Sequence, residues 1–165
     1  MHMNRIRGIS LVEVLVALVV LSIGLLGVAV LLVQSVQGSR SALFRTHAVN
    51  LVSDMADRIR ANANAGAAYA GAGVLTKCQS VEGDVGNNCT IAQLAADDVA
   101  RWRATVGDAF PRMSATVPSA TVQYFAGSPE RYRVSVVWQE PQAGTASNQF
   151  SYSTDVLIMP RAPAP

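Results

Sequence analysis

The sequence predicts an α+β fold in which a long N-terminal helix, transmembrane in its first half, packs on a C-terminal antiparallel β-sheet, with a second amphipathic helix between them. Three observations carry this expectation. A long unbroken apolar run lies near the start, two later stretches repeat apolar residues at helical spacing, and the last third of the chain alternates with a period of two.

The 165 residues suffice for one compact domain with an added element and fall short of two ordinary domains. Half are hydrophobic and 15% are charged, an apolar composition that points to a segment in lipid. Between Val14 and Val33 only Ser22, Gly24 and Gly27 are not strongly apolar. As a helix, such a run spans about 30 Å of hydrocarbon, enough to cross a bilayer. Met1 to Gly8 carry Arg5 and Arg7 and no acid, so the positive-inside rule keeps that end cytoplasmic and exports the rest. A cleaved secretory signal would have a shorter apolar core and a small-residue cleavage site, whereas this run continues into Gln34-Ser35-Val36-Gln37.

Beyond the apolar run, Val36, Leu43, Phe44, Leu51, Val52, Met55 and Ile59 recur at helical spacing. Arg40, Arg45, Asp54, Asp57, Arg58 and Arg60 take most of the other face. No proline interrupts residues 9–62, which predicts one helix of roughly 50 residues, about 80 Å long, its first half in lipid and its second supporting a head. Residues 62–73, rich in Ala, Gly and Asn, read as its terminus and a loop.

Thr90 followed three residues later by Gln93 is a capping-box spacing that opens a second helix over about 91–110. Ile91, Ala95, Val99, Trp102, Val106 and Phe110 fall on one face, and Pro111 stops the run. Strands follow at about 121–125, 131–139 and 149–158. Tyr132, Val134, Val136 and Trp138 alternate with Arg131, Arg133, Ser135 and Val137, and Phe150, Tyr152, Thr154, Val156 and Ile158 repeat the pattern. Turns at Gly127-Ser128-Pro129 and over 140–148 make these an antiparallel meander whose apolar face the long helix covers.

The residues Arg5-Ile6-Arg7-Gly8-Ile9-Ser10-Leu11-Val12-Glu13 resemble the class III leader junction of type IV prepilins. Each part has a physical reason. Gly8 lets a protease approach the backbone closely. Glu13 is a carboxylate in an apolar run, at a cost of about 2.5 kcal/mol or more unless it is paired. The resemblance implies cleavage between Gly8 and Ile9 by a membrane prepilin peptidase, N-methylation of Ile9, and pairing of Glu13 with the N-terminal amine of an adjacent subunit to set axial register. An interfacial, hydrated Glu13 with no role is the alternative. The helix segments Arg45-Thr46-His47-Ala48 and Asp54-Met55-Ala56-Asp57-Arg58-Ile59-Arg60-Ala61-Asn62 are similar to PilV-type minor pilins, as are Ala92-Gln93-Leu94-Ala95-Ala96-Asp97 with Trp102 and the strand Tyr132 to Trp138.

That resemblance implies a type IV pilin fold and a division into a cleaved leader at 1–8, a transmembrane half-helix at 9–33, an amphipathic half at 34–62, a head at 63–159 and a flexible tail at 160–165. It also implies a structural subunit that initiates or caps pilus assembly, with twitching motility and adhesion as consequences. The expected partners are other minor pilins and the major pilin through the N-terminal helix, with a tip adhesin as a further candidate. The chain would sit in the inner membrane with a periplasmic head, then in the pilus. A minor pseudopilin of type II secretion shares the junction, helix and sheet and is the competing reading.

Other residues invite less. Cys78 and Cys89, the only cysteines, lie in the part expected to be exported, where a disulfide closing a twelve-residue loop is the natural state and two buried thiols the alternative. Metal ligation is disfavoured by their spacing and by the presence of only His2 and His47, and no cofactor is expected. His47, near Asp54 and Asp57, reads as a solvated residue on the polar side of its helix rather than part of a catalytic cluster. Asp97 and Asp98 read as negative charge near a helix start, offsetting the helix dipole. Trp102 and Trp138 read as core anchors. No phosphate loop or nucleophile motif appears, so no catalytic residue is assigned. Without the leader's two arginines, eleven basic residues face eleven acidic ones, with Lys77 the single lysine, so nucleic-acid binding is not expected.

Overall fold

The computed structural model describes residues 10–78, 88–113, 118–140 and 148–159. Its contacts divide into two compact units, Met1–Ala42 and Leu43–Pro165. Helix α1, Leu11–Ala61, runs through the boundary as 51 residues. In the first unit the described part is helical from Leu11, and every residue from 10 to 40 is exposed. A helix apolar all round with no protein cover needs lipid or other chains as its solvent. Its mean hydropathy reaches 3.0 over its most apolar stretch, and it is long and apolar enough to cross a membrane. Ser22 Oγ donates to Val19 O at 2.8 Å, so the one hydroxyl in the apolar run is satisfied within the helix.

The second unit is the head. From α1 it takes Ala48, Val52, Met55, Ala56 and Ile59 as fully buried residues, with Phe44 and Leu51 half-buried. Val36 and Leu43, expected on the same stripe, are each 54% exposed. At about 100° per residue both fall on the side of α1 away from Val52, Met55 and Ile59, so the apolar positions of this half do not form one stripe. After Asn62 the chain does not remain an open loop. It coils into a 3₁₀ helix, η1, Ala63–Ala70, interrupted at Gly66, whose φ of 52° lies in the left-handed region that suits glycine. The coil delivers Tyr69 to the core at 0% exposure.

Helix α2, Ile91–Ala109, opens on the expected capping box: Thr90 Oγ1 accepts from Gln93 N–H at 3.3 Å and Gln93 Oε1 accepts from Thr90 N–H at 2.9 Å. It buries Ala95, Val99, Trp102 and Val106 and ends before the buried Phe110 and Pro111; Ile91 at its start is exposed. Strands β1, Ser119–Phe125, β2, Glu130–Glu140, and β3, Asn148–Ile158, form an antiparallel sheet in that order. Tyr124 faces Tyr132 across one pair of strands, and Trp138 faces Phe150 across the other. Strand β2 alternates fully: Tyr132, Val134, Val136 and Trp138 are buried between half-buried neighbours. Along β3 the expected parity holds but the cover is thin. Val156 is buried and Phe150 half-buried against the core, whereas Tyr152 between them is 37% exposed, because β3 is an edge strand.

α1, α2 and the sheet share one core. Trp102, 1% exposed, donates its indole N–H to Leu51 O of α1 at 2.8 Å, so its only polar atom is paired where its rings are buried. Phe110 stacks on Trp138 at 5.3 Å between centroids, and Trp138 on Phe150 at 5.8 Å.

Candidate functional site

Among the described residues, two places carry unusual chemistry: the start of α1 and the strap that crosses α2. At the start of α1, Ser10 O accepts from the N–H groups of Glu13 and Val14, and Glu13 occupies the first helical turn. There its negative charge faces the positive end of the helix dipole. Its neighbours Leu11, Val12 and Val14 are exposed and apolar, and no cation lies within ion-pair distance of it among the described residues. From Leu11 to Ser39 it is the single charged residue. The helix thus presents one carboxylate at its beginning and apolar surface after it. Gly8 and Ile9, the expected cleavage and methylation positions, lie outside the described residues, as do the rest of the leader and the tail at 160–165.

In the head, Asp97 and Asp98 are not dipole charges. They are the seventh and eighth residues of α2, past its first turn, and both are buried, at 0% and 4% exposure. Asp97 Oδ1 accepts from the backbone N–H of Thr76 at 2.8 Å and of Lys77 at 3.0 Å, while Arg101 Nε donates to Oδ2 at 2.7 Å. Asp98 accepts from Arg58 Nη1 at 2.9 Å and from the Tyr69 hydroxyl at 3.1 Å. Arg58, expected on the solvent face of α1, joins Asp54 to Asp98 and so ties α1 to α2.

The strap itself is residues 72–77. Arg103 donates to Ala72 O, and Val74 N–H donates to Ala96 O at 3.0 Å. Gly73 makes this approach possible. Its φ is 80°, and a Cβ there would stand 2.8 Å from Ala100 N. Cys78 and Cys89 close the strap with a disulfide, their Cα atoms 5.6 Å apart. In the chain-entropy picture that bond contributes about 3 kcal/mol. A head fragment starting near Ser35 should show no thiol reactive to alkylation until a reductant is added; two labelled thiols in the native, unreduced protein would contradict the pairing.

Burial acts to raise the Asp97 carboxyl, but the Arg101 guanidinium and the two strap N–H groups outweigh it and hold the group below the ordinary carboxylate range. A carboxylate depressed by folding stabilises above its unfolded value of about 3.9, and that stability is lost as pH falls through the folded value. The melting temperature of the head fragment should therefore fall steeply below about pH 4. Asp97→Asn should lower it at neutral pH and flatten the acid limb; an unchanged acid limb would contradict the assignment. Burial pushes the Tyr69 hydroxyl up, and Tyr132, buried and close to Glu130, is pushed up to about 12. Both stay protonated donors. The Tyr132 hydroxyl bonds Gly66 O at 3.1 Å, and that of Tyr69 bonds Arg58 O at 3.0 Å.

These groups are fasteners. His47 is exposed, and no group of three or more His, Cys, Asp or Glu suited to a metal occurs among the described residues. Asp97 and Asp98 escaped the sequence reading as buried groups. Their one local signal was position, since aspartate inside a helix competes with the backbone and needs a partner there.

Residues 3–29 match the family model of the prokaryotic N-terminal methylation motif, and residues 30–100 match that of type IV pilin Tt1218. The first match contains Gly8, Ile9 and Glu13; the second contains the head half of α1, the strap and Asp97 and Asp98. No curated protein and no solved structure matches the chain.

Proposed function

We propose that this chain, a member of the type IV pilin family, works as a minor pilin of the PilV type that initiates or caps the filament and so supports pilus biogenesis, twitching motility and adhesion. It is a structural subunit. The observation that carries the reading is the methylation motif set directly before an apolar helix with Glu13 as its single early charge. The leader stays cytoplasmic, the peptidase cuts after Gly8 and Ile9 is methylated, while the head folds in the periplasm.

Assembly then follows from the cost of Glu13 in lipid. An unpaired carboxylate near the bilayer core costs about 2.5 to 3.5 kcal/mol on insertion scales, and the amine of a neighbouring subunit's Ile9 offsets that cost when the helices align. Only one axial register brings the charges together, so Glu13 sets the step of the filament. The apolar surface of residues 14–33 supplies the remaining contact, first with lipid and then with other helices. The finer PilV assignment rests on the resemblance of the helix end from Asp54 to Asn62.

A deletion strain tests the role. Loss of twitching and of surface pili with exoprotein secretion intact is the expected result. Intact twitching with lost secretion would replace the pilus by a type II secretion pseudopilus.

A further inference from the structure

The two edges of the sheet are treated differently. At β1, Arg103 Nε donates to Ala120 O at 3.1 Å, and α2 and η1 pack against the strand, so this edge is covered. At β3 no described element pairs with the outer edge, although the strand is eleven residues long and registered with β2 throughout. Exposed edges are ordinarily protected by lysine, proline, a bulge or a charge pointing inward. β3 has none of these. Its one charge, Asp155, lies on the polar face and is neutralised by Arg133, through two bonds of 2.8 and 3.0 Å, and by Arg131 at 3.6 Å.

Beside the first half of this open edge lies a cleft of about 260 Å³ between α1 and β3, lined by Arg45, Val49, Trp138, Phe150, Ser151 and Tyr152. Val49 is 40% exposed and Tyr152 37%, so the cleft has uncovered apolar walls. The Arg45 guanidinium stands 5.5 Å from the centre of the Phe150 ring and has no acidic partner among the described residues. A backbone row that no described element pairs, an apolar recess on the helix side of that row and a cation at its rim with no acidic partner among the described residues match one kind of ligand. It is an extended chain with alternating apolar residues and a carboxylate.

We propose that the β3 edge and this cleft receive an extended segment of a different pilin subunit, which adds as a fourth strand, places an apolar side chain against Val49 and Tyr152, and sets a carboxylate against Arg45. The inference rests on the proposed function in expecting that partner among the pilins. Backbone pairing supplies direction, and the cleft supplies choice, because only one parity of the added strand faces α1.

The test is a photo-crosslinking residue at Tyr152 in the full-length chain in its own cells, with Gln123, exposed on β1, as the control position. Mass spectrometry of the cross-linked peptide should find a segment of another pilin with apolar residues in alternation. Val49→Glu and Arg45→Glu, checked by melting temperature for an intact head, should each cut that cross-link by at least about tenfold. Cross-linking to a second copy of this chain, to a helix or to a protein that is not a pilin would overturn the proposal. An equal yield from Gln123, or an undiminished yield in both variants, would overturn it too. A chain found in pili but without a Tyr152 cross-link sinks this inference and leaves the proposed function standing.

Discussion

Glu13→Val should leave the protein inserted and processed but deplete it from sheared pili. Insertion is expected to survive because valine is favoured in hydrocarbon where a carboxylate is opposed, a difference of about 3 kcal/mol at the centre of a membrane helix. The cut is expected to survive because Gly8 and Ile9 are untouched. What disappears is the one charge between Leu11 and Ser39, and with it the partner proposed for a neighbour's N-terminal amine. A register held by apolar surface alone is weakly specified, since the residues of 14–33 are apolar on every side of the helix. The measurement is the amount of the chain in sheared pili relative to the inner membrane, in wild type and variant. Equal recovery, with unchanged pilus number, would mean that Glu13 is a hydrated interfacial residue without a role in register.

Trp102→Ala should cost the head about 3 to 5 kcal/mol, a large share of the roughly 5 to 15 kcal/mol by which a domain of this size is folded. Trp102 is 1% exposed and sits where α2 meets α1, so its removal leaves a cavity between two helices that the surrounding core fills only in part. Its indole N–H bond to Leu51 O is the smaller part. Trp102→Phe, which keeps most of the buried surface and gives up that bond, should cost distinctly less. Denaturant unfolding of the head fragment measures both. If the two substitutions cost the same, the hydrogen bond rather than the packing anchors the helix pair.

What was legible in the sequence was what local rules govern. Helix α2 could be bounded to within a residue because Thr90, Gln93 and Pro111 each act on backbone groups a few positions away. The strands could be placed because Tyr132, Val134, Val136 and Trp138 must share a face. The N-terminal methylation motif was legible because the residues that mark it, from Arg5 to Glu13, are consecutive. What escaped depends on distant neighbours. Asp97 is explained by Thr76 and Lys77, about twenty positions earlier, and nothing beside it announces that a strap will lie there. Arg58 reads as a surface cation until Asp98 is brought to it. Tyr152 lies on the right face, yet the covering elements do not reach it, and how far an element reaches is a property of the assembled head.

The central claim is that this chain enters a filament as a processed pilin, and the most direct measurement is its intact mass in sheared pili. The account predicts a chain lacking Met1 to Gly8 and carrying one added methyl group on Ile9, at low abundance beside the major subunit. A full-length chain in cells that contain the peptidase, or a processed chain wholly absent from pili, would contradict it.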